Sequence, residues 1–476
     1  MYRRNPLIAA DSYKIGHPLF MPDGTSYMED FVEARVGGEW NEAVSAGDQA
    51  YVKDVLLEPF TQADIDEADI FYNMHFPPVT AGKIFDKKVA QYVLEKYNGI
   101  WPVTIMAVPE GTVVPEGNVL SVIYSEDPIV AKAIGYLETL KLSYNWAMTT
   151  IATNSYQMKK VILDYANKTS DDLSWIPFAL HDFGARGVVP GGQTAAAGAH
   201  LFNFMGSDTL EAIRYMQDRY GVAQGLPGYS VLATEHSIMA SEGVEGEFVV
   251  TERAIRIAAA MGKGNIISIV NDTYDRDAHV TWVSQNMKEF IIESELRWVT
   301  RPDSGFPPSS VISCLDILGK YWGYTTNSKG YKVLPTNVRV LQGDGIDLEM
   351  VKQVLFAVAL NGWSTENVVF GSGGGLLQKV NRDTLRFAMK NSYIEVNGVG
   401  RDVYKAPKTD TTKSSKKGRL MLYRNNATGE LFTSRIEDMI GKEGWATEAL
   451  VTIYKNGVLV KEYTLDEVRA NTGLWG

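Results

Sequence analysis

Between residues 178 and 375, short apolar runs repeatedly end in small and charged residues. The runs cover residues 178–184, 228–236, 266–272, 298–303, 338–344 and 368–375, and amphipathic stretches follow at 209–220, 277–291, 308–324 and 347–363. Short apolar runs bounded by turn residues indicate buried strands. A strand, a polar end and a helix in succession are typical of a parallel β/α barrel. We therefore predict an α/β fold with a β/α barrel-like domain, whose site lies in the loops after the strands.

Composition and charge limit the function classes. The 476 residues carry a net charge of -11, which disfavours nucleic acid and anionic membrane surfaces as partners. A local group of arginines can still bind a small anion, and Arg186, Arg301 and Arg382 lie at or just beyond the ends of the predicted strands. One cysteine excludes an intrachain disulfide, and the first residues lack the apolar stretch of a signal peptide, so we expect a cytoplasmic protein.

The regions on either side of the barrel differ from it in pattern. Residues 105–124 contain two Pro-Glu-Gly turns between β-branched runs, which indicates an antiparallel sheet. Asn456-Gly457 lies between two apolar runs and predicts a hairpin, and residues 425–429 give a weaker hairpin signal. We predict an N-terminal α+β part over 1–175, the barrel over 176–390 and a C-terminal β-rich part over 391–476. The two flanking parts are expected to join into one β-rich domain.

Several strand ends carry motifs that occur together in one enzyme family. They are DSYK at 11–14, HDFGARG at 181–187, GYSV at 228–231, EHS at 235–237, RPDSG at 301–305, QGDG at 342–345, FGSGGGLLQK at 370–379 and SKKGRL at 415–420. In this order, over nearly the whole chain, they resemble the nicotinate and nicotinamide phosphoribosyltransferases. The resemblance implies the barrel of type II phosphoribosyltransferases and a homodimer with active sites at the subunit interface. It also implies that nicotinamide and phosphoribosyl pyrophosphate react to give nicotinamide mononucleotide and pyrophosphate, a step of NAD salvage.

The glycine run at 370–375 is the candidate phosphate site. Small residues between a strand and a helix let backbone N–H groups converge on a phosphate. The alternative is a structural turn. The resemblance assigns contacts with phosphate, pyrophosphate or ribose to Arg186, His236, Arg301, Asp303, Gly343, Asp344, Gly373, Gly374 and Arg382.

Arg301 and Asp303 flank a proline that stiffens their relative placement. A guanidinium suits phosphate and a carboxylate suits ribose hydroxyls or Mg²⁺, although an Arg–Asp surface pair is the alternative. The resemblance gives Arg301 a contact with pyrophosphate or nucleotide and Asp303 a contact with the ribose. It also implies that ATP phosphorylates His236, which otherwise contacts pyrophosphate, and that Asp272 is its partner. The alternative for His236 is a structural histidine. Mg²⁺ is the expected metal, and the sequence assigns it no ligand.

Phe183 and Asp208 are the candidates for binding the base, and the resemblance adds Arg301 to them. An aromatic ring stacks on a pyridine ring, and the resemblance places Tyr13 of the partner subunit on the opposite face. Asp208 would accept a hydrogen bond from the carboxamide and repel the negative charge of nicotinate. The alternatives are a core position for Phe183 and a helix N-cap for Asp208.

Other functions stay open at this stage. The nearest alternative is nicotinate phosphoribosyltransferase. An aldolase would need a lysine at a strand end, and Lys379 is the only one nearby. A binding protein without catalysis would not require the arginines. The basic loop at 405–419 either reaches phosphate or is a solvated surface loop.

Overall fold

Seven strands from the middle of the chain form one parallel sheet in the computed structural model of the protein, which describes residues 5–189, 192–407 and 415–475. The strands are β1 (Leu180–Asp182), β2 (Gly206–Ser207), β3 (Leu232–Ala233), β4 (Ile266–Val270), β5 (Arg297–Arg301), β6 (Val338–Gln342) and β7 (Val368–Ser372). Their order in the sheet is β2-β1-β7-β6-β5-β4-β3. Tyr229, shortly before β3, pairs in parallel with Gly206 of β2. The sheet therefore curls round into the predicted barrel-like form.

A helix follows each of these strands, as the parallel connection requires. The helices are Gly192–Gly198, Leu210–Arg219, His236–Met239, Gly243–Ala260, Arg276–Asn286, Lys288–Glu293, Pro307–Trp322, Leu348–Leu360 and Gly374–Leu377. Sequence determines several of their starts. The carboxylates of Asp275 and Asp347 accept hydrogen bonds from the N–H groups of Ala278 (2.9 Å) and Met350 (3.0 Å), as N-cap residues do.

The strands and helices of this unit share one core. Most apolar side chains of β4 to β7 are fully or nearly buried, as expected for parallel strands covered by helices. Trp298 and Phe370 are the largest of them on the strands, and Cys314 of helix Pro307–Trp322 is buried among them as a free thiol. The compact unit comprises residues 154–217 and 224–380.

The second compact unit comprises residues 5–153, 218–223 and 381–475 of the described chain. Its main sheet is antiparallel, with the strand order Val399–Asp402, Ala388–Val396, Thr25–Glu33, Val119–Tyr124, Thr104–Ala107, Val451–Lys455 and Val458–Leu459. Three further strands pair in the order Leu431–Arg435, Leu420–Asn425 and Ala446–Glu448, and Glu42–Val44 pairs with Val113–Pro115. The longer helices are Gln62–His75, Lys87–Tyr97 and Leu465–Asn471, and helix Glu138–Thr169 begins in this unit.

The fold class predicted from the sequence is confirmed, including a β-rich domain built from both ends of the chain. Both predicted hairpins are present, and Asn456 and Gly457 have the positive φ values, 49° and 92°, that a two-residue turn favours. The domain limits near residues 175 and 390 stay a prediction. No helix in the described part of the chain is long and apolar enough to cross a membrane.

Candidate active site

A cavity of about 910 Å³ lies at the carboxyl ends of the parallel strands. Loops after six of the strands contribute to it, because the ends of parallel strands meet at one edge of the sheet. The predicted site residues that line it are Phe183, Arg186, Asp208, His236, Arg301, Asp303, Gly343, Asp344, Gly373 and Gly374. The guanidinium groups of Arg186 and Arg301 and the glycine turn therefore line the same cavity.

His236 lines this cavity and contacts two carboxylates, Asp272 and Asp303. His236 Nε2 lies 3.1 Å from Asp272 Oδ1, and Nδ1 lies 4.0 Å from Asp303 Oδ2. Asp272 does not line the cavity itself, and its side chain is 4% exposed. Its Oδ2 accepts hydrogen bonds from the N–H groups of Asp303 (3.0 Å) and Ser304.

These contacts keep Asp272 ionised. Burial alone would raise the pKa of Asp272, but the hydrogen bonds from Ser304, His236 and the Asp303 N–H outweigh it and hold the pKa below its usual value. The carboxylate therefore fixes one nitrogen of the imidazole ring and leaves Nδ1 on the side of Asp303.

Arg301 and Asp303 lie near each other, but only the Arg301 side chain has a backbone hydrogen-bond acceptor among the contacts of the described residues. Arg301 donates to the carbonyl oxygen of Thr234, which follows β3 two strands away in the sheet. Burial lowers the pKa of Arg301, and the carboxylates of Asp303 and Asp208 oppose that shift. Burial raises the pKa of Asp303, and Arg301 opposes it. The guanidinium is thus anchored by a backbone acceptor, and the Asp303 carboxylate remains directed to the cavity.

The glycine run turns sharply between β7 and helix Gly374–Leu377. A Cβ at Gly375 would lie 2.1 Å from the carbonyl oxygen of Ile346, and a Cβ at Gly371 would lie 2.0 Å from Phe183 Cε2. Packing therefore requires glycine at both positions. A Cβ at Gly374 would lie no closer than 3.8 Å to Gln378 Oε1, which is ordinary contact. Close packing explains part of the run and leaves Gly374 open to the cavity.

Phe183 and Asp208 lie where this cavity meets a second one. The second cavity, of about 580 Å³, has both residues in its lining, together with Ala233 and Arg301, which also line the first. Phe183 is half-buried and lies against Gly371. Helix Leu210–Arg219 begins two residues after Asp208, and the Asp208 carboxylate accepts a hydrogen bond from the Ser230 hydroxyl. The three residues predicted to bind the base in this unit are therefore shared by both cavities.

Tyr13 and Arg382 belong to the other compact unit, and both are exposed. Their roles stay predictions. In the basic loop, residues 408–414 lie outside the described residues, while Lys416 pairs with Glu33. No group of three or more histidine, cysteine or carboxylate side chains in the described ranges could hold a metal ion.

The sequence did not predict three contacts of the site. They are the Ser304 N–H on Asp272, the Thr234 carbonyl on Arg301 and the Ser230 hydroxyl on Asp208. The first two contacts involve a backbone N–H and a backbone carbonyl. Every residue type has a carbonyl and nearly every type an N–H, so the sequence gives no signal for them. Ser230 lies in the GYSV motif, which was the available signal.

Comparison with known proteins decides the family. Residues 178–451 match the nicotinate phosphoribosyltransferase (NAPRTase) family, and residues 5–105 match the N-terminal domain of nicotinamide phosphoribosyltransferase. The chain is 41% identical to nicotinamide phosphoribosyltransferase of Xanthomonas campestris pv. campestris (strain 8004), over 99% of this chain and 98% of that protein. It is 30% identical to the Acinetobacter baylyi nicotinamide phosphoribosyltransferase, over 98% and 97%. The chain belongs to the nicotinate and nicotinamide phosphoribosyltransferase family.

Two solved structures of low sequence identity share the fold. Nicotinate-nucleotide pyrophosphorylase from Pyrococcus furiosus has a TM-score of 0.65 at 16% identity, with 99% of this chain and 96% of that chain covered. Human nicotinic acid phosphoribosyltransferase has a TM-score of 0.58 at 17% identity, with 98% and 93% covered. Family membership makes the protein a pentosyltransferase, as predicted, and the named relatives favour the nicotinamide enzyme over the nicotinate alternative.

Proposed function

We propose that the protein transfers the phosphoribosyl group of phosphoribosyl pyrophosphate to nicotinamide, giving nicotinamide mononucleotide and pyrophosphate in NAD salvage. The observation that carries the proposal is the shared cavity, in which Arg186, Arg301 and the glycine turn line the same space as His236. The full-length similarity to enzymes named nicotinamide phosphoribosyltransferase supports it.

Displacement of pyrophosphate from the ribose develops positive charge on the sugar and negative charge on the leaving group. Fixed charges in a preformed cavity stabilise such a change at little reorganisation cost. Arg301 and Arg186 are assigned to pyrophosphate, together with His236. Asp303 is assigned to the ribose, where its carboxylate accepts from hydroxyl groups and favours the developing cation.

The 5′-phosphate is assigned to the turn that contains Gly373 and Gly374, with Gly343 and Asp344 beside it. Backbone N–H groups at a strand-to-helix turn bind phosphate well. Gly374 supports this assignment, because packing leaves the space at its Cα free. Arg382 is assigned to the same phosphate, from its match to the family motif.

The pyridine ring is assigned to the junction of the two cavities. There Phe183 offers an aromatic face and Asp208 offers a carboxylate to the carboxamide NH₂. A negatively charged nicotinate would meet Asp208 as a like charge. The partner subunit's Tyr13 would cover the other face of the ring, which makes the active enzyme a homodimer.

ATP is the proposed co-substrate and phosphorylates His236. Asp272 supports this role, because its carboxylate accepts a hydrogen bond from Nε2–H and so orients the neutral ring with Nδ1 unprotonated. Nδ1 is then the nitrogen available for phosphoryl transfer. Mg²⁺ is proposed to enter with the phosphates of the substrates, since Mg²⁺ commonly binds through substrate phosphates and few protein ligands. A cytoplasmic location fits the single, buried cysteine.

Product analysis tests the proposal. The purified protein is supplied with phosphoribosyl pyrophosphate, Mg²⁺ and either nicotinamide or nicotinate, with and without ATP. We expect nicotinamide mononucleotide and pyrophosphate in equal amounts, faster with ATP, and at least about tenfold lower kcat/KM with nicotinate. Turnover of nicotinate but not of nicotinamide would refute the assignment of the base. If neither a mononucleotide nor pyrophosphate formed, the proposed reaction would be refuted.

A further inference from the structure

Arg276 is connected to Asp272 through a chain of hydrogen bonds outside the cavity. It is the first residue of helix Arg276–Asn286, and its Nη1 donates to Ser310 Oγ at 2.8 Å. Ser310 Oγ in turn donates to the carbonyl oxygen of Ser304 at 3.1 Å. The N–H of Ser304 donates to Asp272 Oδ2. Two residues, Ser310 and Ser304, therefore link the guanidinium of Arg276 to the carboxylate that accepts from His236.

The hydrogen bonds that meet at Ser304 fix the orientation of its backbone. A serine hydroxyl has one proton, and accepting from Arg276 directs that proton towards the Ser304 carbonyl. The carbonyl and the N–H of Ser304 belong to the two peptide groups on either side of its Cα. Anchoring both groups fixes the backbone of Ser304 and hence the direction of its N–H towards Asp272. Ser310 is buried, so water does not replace these contacts easily.

A second contact ties the same two helices together. Arg276 Nε donates to Asp277 Oδ1 at 2.8 Å, and Ser313 Oγ donates to the same oxygen at 2.9 Å. Ser310 and Ser313 both lie on helix Pro307–Trp322, one turn apart. A cation in the first turn of a helix is disfavoured by the helix dipole. The position of Arg276 is therefore explained by the contacts it makes with the neighbouring helix.

We propose that Arg276 is a positioning residue for the phosphorylatable histidine: through Ser310 and Ser304 it fixes Asp272, and Asp272 fixes the ring of His236. The part of this proposal that concerns phosphorylation rests on the proposed function. The part that concerns ring orientation does not.

Three variants separate the contributions. Arg276→Met keeps the aliphatic stem and removes the donors, and Ser310→Ala removes the middle link. Arg276→Lys keeps the charge with a single ammonium, which cannot reproduce the guanidinium fork towards both Ser310 and Asp277. Arg253→Met is the matched control, because Arg253 forms an exposed pair with Glu242 and is not connected to Asp272 by a described contact.

The first measurement is independent of catalysis. In protein labelled with ¹⁵N-histidine, the ring nitrogen shifts of His236 report which nitrogen carries the proton. The wild type and Arg253→Met are expected to hold the proton on Nε2, facing Asp272. Arg276→Met and Ser310→Ala are expected to lose this preference, with Arg276→Lys between them. If the ring nitrogen shifts of His236 in Arg276→Met and Ser310→Ala equal those of the wild type, the positioning role is overturned.

The second measurement is steady-state turnover with ATP. Arg276→Met and Ser310→Ala are expected to lower kcat about tenfold, the effect of weakening one charge-assisted hydrogen bond, with less than about a twofold change in the KM for nicotinamide. Thermal unfolding checks that each variant is folded. A fall in kcat no larger than that of Arg253→Met would also overturn the proposal. A wild type without ATP stimulation would instead refute the ATP role, and the ring shifts would still decide the positioning role.

Discussion

Replacing Asp272 with asparagine removes one charge while keeping the size of the side chain. Asp272 accepts from His236 through one oxygen and from the N–H groups of Asp303 and Ser304 through the other. An asparagine has one acceptor oxygen, and two backbone donors compete for it against one ring nitrogen. We expect the oxygen to face the backbone, so that the NH₂ group faces His236. The ring must then accept at Nε2 and carry its proton on Nδ1, the nitrogen proposed to take the phosphoryl group.

The size of the effect follows from the burial of Asp272, since the His236 side chain itself is 48% exposed. A hydrogen bond to a charged group contributes about 1.5–3 kcal/mol, and the Asp272 side chain is only 4% exposed, so solvent screens it little. Loss of that contribution in the phosphorylation step corresponds to about a 10- to 150-fold slower rate. Stability should change less, because the asparagine oxygen still accepts both backbone N–H groups.

The assay compares nicotinamide mononucleotide formation with and without ATP, together with transfer of the ATP γ-phosphoryl group to the protein. Asp275→Asn is the matched control. It removes the same charge three residues along the chain and keeps an N-cap oxygen for Ala278. If Asp272→Asn is stimulated by ATP as strongly as Asp275→Asn, Asp272 does not act by holding the proton of His236 on Nε2.

Three further predictions address the other roles. His236→Ala should abolish ATP-stimulated turnover and leave weak activity without ATP, and stimulation equal to the wild type would reject the phosphohistidine. Asp208→Asn or Asp208→Ser should lower the ratio of kcat/KM for nicotinamide to that for nicotinate about tenfold, and a constant ratio would assign the choice of base to another residue. Burial raises the pKa of Glu110 from 4.5 to about 7, so the wild type loses stability as the pH rises through that window. Glu110→Gln, which cannot ionise, should therefore gain about 3 kcal/mol relative to the wild type at pH 8 but little at pH 4, measured by urea unfolding; an equal gain at both values would contradict the linkage.

The sequence predicted which residues meet in one cavity better than it predicted individual elements, and the reason is geometric. Phe183 and Gly373 are distant in sequence, yet both follow strands of one parallel sheet and line one cavity. Recognising the strands was enough, since parallel strands present all their carboxyl ends at the same edge. The distances of His236 from Asp272 and Asp303 depend on side-chain packing and could not be predicted in this way.

Elements with weak periodicity were missed. Strand Gly206–Ser207 has two residues and no apolar run, and its pairing is imposed by its neighbour β1. Helix Gly243–Ala260 begins with two glycines in its first turn, which lowers its intrinsic helix preference. The stretch predicted as one helix over 277–291 is instead divided at Met287 into Arg276–Asn286 and Lys288–Glu293.

The glycine run illustrates why a motif alone leaves its function open. Gly371 and Gly375 are required by packing, since a methyl group at either would overlap Phe183 or the Ile346 carbonyl. Sequence cannot separate them from Gly374, where a methyl group meets nothing closer than 3.8 Å. The interpretation as a structural turn therefore holds at Gly371 and Gly375, while the phosphate site stays a prediction that Gly374 leaves open. The packed glycines bring the backbone of β7 close to Phe183 and Ile346, whereas Gly374 lines the cavity without such a contact, at the place where the phosphate is proposed to bind.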